Sequence, residues 1–145
     1  MRKSMRLPAA LARFGADRSG AVAVEFVLIA PILFALLFGV VVTGYFIGIS
    51  HSVSQLAAGA VRASVAGLDR EERTELAQLY LAQAGSRYPL LAPSALASDV
   101  TIEGPSPAAI TVSIVYNIDA SLLDLANGFL GLGINNIARS AYLAY

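Results

Sequence analysis

The chain has 145 residues, 57% of them apolar, with ten Lys and Arg against ten Asp and Glu and no cysteine. Its mean hydropathy is +0.66, and its apolar share exceeds the roughly 45–50% of soluble domains, which points to one small domain plus a membrane segment. The missing cysteines exclude disulfides and thiol chemistry.

The balanced net charge hides two unequal parts. Up to Gly20, five cations (Arg2, Lys3, Arg6, Arg13, Arg18) stand against Asp17, giving +4; from Ala21 onward, five arginines stand against nine acids, giving −4. The basic stretch abuts an apolar run, which suits membrane topology better than nucleic-acid binding. Pro8 and Gly15 argue against one long helix in this leader, residues 1–20.

From Ala21 to about Ala66 the sequence reads as one long helix. The 24 residues Phe26–Ile49 contain no Asp, Glu, Lys or Arg, and about 20 such residues cross a bilayer core. Basic residues before such a helix stay in the cytoplasm. The expected division is a leader at 1–20, a transmembrane helix at 21–49 and an extracytoplasmic head at 50–145. A secretory signal cut near Ala57-Ala58-Gly59-Ala60 ranks lower, because its apolar region is only about 7–15 residues. Pro31 frees a carbonyl near Val27 and predicts a kink. Leu56, Ala60 and Ser64 share one face of the second half.

A separate helix follows, with Asp69 as N-cap, Glu72 completing a capping box, an apolar stripe of Leu76, Leu79 and Tyr80, and Gly85 as the stop. Pro89 and Pro93 mark a loop over Arg87–Ala97. Val100 and Ile102 read as a short strand, Gly104-Pro105-Ser106-Pro107 as a turn, and Ile110, Val112, Ile114 and Tyr116 as the buried side of a second strand. Ser121–Leu130 reads as a short helix capped by Asp119 or Ser121, with Leu122, Leu125, Ala126 and Phe129 on one face. The apolar run Leu122–Leu132 is core, or else a docking patch, with core preferred. Ile137–Tyr145 is a strand or a helix. The fold class is α+β: a short antiparallel sheet packed on the C-terminal part of the long helix.

Glu25 is the only Asp, Glu, Lys or Arg between Arg18 and Arg62. A charge in a membrane helix costs roughly 2.5–3.5 kcal/mol at its centre and less near an end. Cleavage between Gly20 and Ala21 would create an α-amino group one turn from Glu25. That carboxylate could pair with the same group on a neighbouring subunit and reward correct axial register. The competing reading is a signal anchor whose glutamate snorkels to the interface. Ala35 and Gly39, and Gly44, Gly48 and Ser52, repeat small residues at a spacing of four, which suits lateral helix packing in lipid or is membrane-helix background. Tyr45 and Phe46 are interface anchors or packing residues. His51 stands alone, with no metal-binding pattern around it. No Gly-x-Ser-x-Gly elbow or phosphate-cradling loop is present. No catalytic residue, metal or cofactor is expected.

The stretch Gly20-Ala21-Val22-Ala23-Val24-Glu25-Phe26 resembles the class III prepilin processing motif. Extended from Arg18 through Val27-Leu28-Ile29-Ala30-Pro31, it is similar to the start of TadE-like pseudopilins of the tight-adherence (Tad/Flp) pilus system, with Val27 where alanine is common. The strong match covers about Arg18 to Gly48. TadF-like relatives share the leader, and TadG-like members are larger. The resemblance implies a pilin-like fold and cleavage by a prepilin peptidase between Gly20 and Ala21. It implies that Glu25 and Phe26 serve processing and assembly. It also implies a non-enzymatic role beside other pilin-like subunits and Tad inner-membrane assembly proteins, in the bacterial inner membrane with the head outside. Removing 20 residues would leave 125, which fits a minor pseudopilin of the family. The alternative is an uncleaved, signal-anchored envelope binding module.

Overall fold

The computed structural model describes residues 18–104, 109–119 and 121–144, arranged in two compact units, Met1–Val40 and Val41–Tyr145. Of the expected irregular leader, 1–20, residues 1–17 lie outside the described ones, and 18–20 are helical instead. Helix α1, Arg18–Ser64, opens three residues before the predicted start and has Pro31 inside it. Within the first unit its large apolar side chains, among them Val22, Phe26, Leu33, Phe34 and Leu37, are all exposed.

In the second unit α1 acquires a core face. Ile49, Val53, Leu56, Ala57, Ala60 and Val61 are buried, at the spacing of one helical stripe. Hydroxyls of Ser52 and Ser54 donate to the carbonyls of Gly48 and Ser50 at 2.8 and 2.9 Å, so these polar residues sit in the helix without orphaned groups. Ser64 is buried and donates to the Val61 carbonyl at 2.7 Å.

Helix α2, Arg70–Ala82, begins as its sequence predicts. Asp69 Oδ1 accepts from the Glu72 amide at 2.8 Å, which satisfies a donor that has no partner within the helix. The return bond differs from the expected box: Glu72 Oε2 accepts from the Leu68 amide at 2.8 Å, one residue before the cap. The predicted stop at Gly85 is wrong. The helix closes at Gln83, and Gly85 lies inside a single further turn, α3, Ala84–Arg87. Its missing side chain makes room instead, since a Cβ there would stand 2.6 Å from Pro93 Cγ. The predicted stripe is also corrected. Ala77 and Ala84 are buried, with Tyr80 and Leu81 packed beside them, whereas Leu79 is 54% exposed. Leu79 sits two residues from Ala77, about 200° around the helix.

The expected long loop is short. A 3-10 turn at Pro93–Ala95 leads straight into strand β1, Leu96–Glu103, which starts four residues before Val100. β1 pairs antiparallel with β2, Ala109–Asn117, and β2 with β3, Asn136–Ala144, in the order β1-β2-β3. Leu96 faces Tyr116 and Ser113 faces Ser140. The early start of β1 comes from this pairing: Leu96-Ala97-Ser98-Asp99 does not alternate, but the full length of β2 offers it partners. Ile110, Val112, Ile114 and Tyr116 are buried as expected. Gly104 takes φ 87° where β1 ends, while the predicted turn residues Pro105 to Pro107 lie outside the described ones. The C-terminal segment is a strand rather than a helix.

Helix α4, Leu122–Leu130, is capped by Ser121, whose Oγ accepts from the amides of Leu123 and Asp124 at 3.2 and 3.4 Å. Gly131 closes it in the left-handed conformation, φ 62°, which glycine adopts at little cost. The predicted inner face is rotated. Leu123 and Ala126 are buried, while Leu125 and Phe129 are 69% and 91% exposed, with Leu130 and Leu132 also exposed. The core expected over Leu122–Leu132 is therefore only partial. Asn127 fixes this rotation by donating to the Ile134 carbonyl at 3.0 Å and accepting from its amide at 3.2 Å.

Candidate processing junction and helix-packing face

Gly20, Ala21, Glu25 and Phe26 lie on the first turns of α1, and all four are exposed. A helix brings residues four apart onto one face, so Ala21 and Glu25 are neighbours along the axis. A Cβ at Gly20 would meet nothing within 4 Å. The backbone at the predicted cut is thus bare on the glycine side. Glu25 has no hydrogen-bond or ion-pair partner among the described residues. Its neighbours Val22, Val24, Phe26, Val27, Leu28 and Ile29 are exposed and apolar. Among the described residues one carboxylate thus stands alone on an apolar helix surface.

The small residues divide into two kinds. Gly39 and Gly44 have open space where a side chain would stand, whereas a Cβ at Gly48 would approach Leu90 Cδ1 at 3.2 Å. Ala35 is exposed. Gly48 therefore meets its own chain, and the open positions are Ala35, Gly39 and Gly44.

His51 Nε2 accepts from Gln55 Nε2 at 2.7 Å on the exposed side of α1. Among the described residues no group of three His, Asp or Glu side chains is placed to hold a metal. In the head, the Tyr80 and Tyr88 hydroxyls stand 3.5 Å apart, and the Arg87 guanidinium lies 4.6 Å from the centre of the Tyr80 ring. Burial, then the hydrogen bond to Tyr80, raises the Tyr88 phenol above its ordinary value. Tyr88 is half-buried and packs against the core. The sequence favours core over a docking patch for Leu122–Leu132 because both arcs of that helix are apolar, and the outer arc is exposed.

The molecule so described is of one class: among the described residues, one helix is long and apolar enough to cross a membrane, and a small α+β head with a three-stranded antiparallel sheet follows it. A family model described as TadE-like protein matches residues 20–62, so over nearly the whole of α1 the chain is similar to TadE-like proteins. The match opens on Gly20 and ends before the sheet. No curated protein and no solved structure matches the chain.

Proposed function

We propose that the chain is a minor pseudopilin of a Tad/Flp adhesive pilus system, with a structural rather than an enzymatic part in pilus assembly. The observation that carries this reading is Glu25, an exposed carboxylate on an apolar helix with no partner among the described residues, five residues after the glycine that opens the TadE-like match. In this reading α1 inserts in the inner membrane with the basic leader in the cytoplasm and the head outside. A prepilin peptidase cuts between Gly20 and Ala21. Glu25 then pairs with the new α-amino group of a neighbouring pilin-like subunit. In an apolar bundle an unpaired carboxylate is costly, so only the correct axial register is tolerated. Phe26 lies beside it on the surface the peptidase would meet. Ala35, Gly39 and Gly44 let neighbouring helices approach, and Pro31 supplies the bend. Tad inner-membrane assembly proteins are the further partners.

The test is the mature N-terminus. Intact mass and N-terminal sequencing of membrane-extracted protein, from cells with and without the prepilin peptidase, should give a peptidase-dependent start at Ala21. An unprocessed start in both strains would instead support a signal-anchored envelope module.

A further inference from the structure

Helix α4 carries apolar side chains on two opposite arcs. Leu123 and Ala126 enter the core, while Leu125 and Phe129 face outward and exposed, and Leu130 and Leu132 extend the outer patch. Apolar side chains on both arcs suit a helix whose two sides each meet an apolar environment, and a contiguous exposed patch of this kind marks an interaction surface.

What covers it follows from where α4 stands within its unit. The Arg139 guanidinium donates to Ser50 Oγ, and Arg139 is paired with Ile114. The Tyr45 phenol lies within electrostatic reach of the Tyr116 phenol. From Ser50 back to Tyr45, α1 moves about 7.5 Å; from Ile114 on to Tyr116, β2 moves about 7 Å. The two elements therefore run side by side in opposite directions. Buried Ile118 comes level with Val41 and Val42, where α1 enters the unit. The Ser121 hydroxyl and amide both donate to the Ile118 carbonyl, which starts α4 at that same end. The opposite end is marked by Arg70, whose guanidinium donates to the Gly104 carbonyl.

Charge is segregated in the same sense. Asp69, Arg70, Glu71, Glu72, Arg73 and Glu75 crowd the far end, whereas Asp119 and Asp124 are the only charged residues from Ala109 to Ala138. The exposed apolar helix before the unit, Ala21–Val40, is 20 residues long, about 30 Å at 1.5 Å per residue, against a hydrocarbon core of about 30 Å. A bilayer crossed by that segment ends where the unit begins.

We propose that the patch Leu125, Phe129, Leu130 and Leu132 docks on the lipid surface, making α4 an interfacial helix seated at the boundary of headgroups and acyl chains. This rests on the reading of α1 as a membrane span. The natural chain has no cysteine, so single probes report without background. The full-length variants Leu125→Cys, Phe129→Cys, Leu33→Cys and Leu68→Cys would be labelled with an environment-sensitive nitrobenzoxadiazole dye. Each would be reconstituted in phosphatidylcholine vesicles with and without brominated lipid. Leu125, Phe129, Leu33 and Leu68 are exposed, so the substitutions spare the core. The expected result is blue-shifted emission, quenched by brominated lipid, at 125, 129 and 33, and neither effect at 68. Quenching at 33 with water-like emission at 125 and 129 overturns the docking and leaves the membrane span standing. A blue shift at 129 without bromine quenching identifies a protein surface, such as a second copy, and also overturns it. No quenching at 33 overturns the span itself and the docking with it.

Discussion

Gly59 and Tyr80 occupy one another's space: a Cβ at 59 would stand 2.4 Å from the tyrosine hydroxyl oxygen. The glycine lets α2 cross α1 closely enough for Tyr80 to pack against the core. Gly59→Ala should destabilise the head by about 1–3 kcal/mol through overpacking. The double variant Gly59→Ala/Tyr80→Ala should lose less than the sum of the two singles. Urea denaturation followed by circular dichroism in detergent measures both.

Asp69→Ala removes the cap of α2 and should cost about 0.5–2 kcal/mol. Asp69→Asn keeps an acceptor oxygen and should recover most of that loss. Thermal melts of the three proteins give the order directly.

Ile114 is buried at the centre of β2, flanked by Ser98 on β1 and Arg139 on β3. Ile114→Ala should cost about 2–5 kcal/mol. Val115, on the other face of the same strand, is only half-buried, and Val115→Ala should cost less. Equal losses at the two positions would mean that the sheet buries both faces.

Glu25→Leu tests the registration role. Removing the acid should favour membrane insertion, yet pilus output should fall to background. Glu25→Gln should fail as well, because an amide cannot neutralise an α-amino group. Counting surface pili by electron microscopy decides the matter, and normal pili on either variant would show that the carboxylate does not set register.

Much of the head was legible. The alternation from Ile110 to Tyr116 carries its own period, and Asp69 announces a helix start. The features that escaped depend on distant partners. Gly85 resembles a helix stop because glycine ends helices, but its role is to admit Pro93, and nothing local signals that. Leu96 to Asp99 has no strand pattern of its own and is ordered by β2. For α4 the periodicity is real but ambiguous, since either arc is apolar enough to be core; the Asn127 bonds to Ile134 choose. At the candidate site, the spacing of Gly20 and Glu25 is a feature of the sequence alone, whereas the claim of Leu90 on Gly48 is invisible there, because their contact joins segments far apart in sequence.

The TadE-like match ends at Arg62, yet Ile49, Val53, Leu56, Ala57, Ala60 and Val61 all fall inside it and all lie in the core of the head. The matched segment is thus no interchangeable handle. Grafting the corresponding stretch of a relative onto this head would replace one wall of its interior, and trimming the chain at residue 50 would discard Val42 and Ile49 with the exposed part of α1. Substitutions accepted along that stretch must satisfy two environments at once, which ties the divergence of the head to that of its stem.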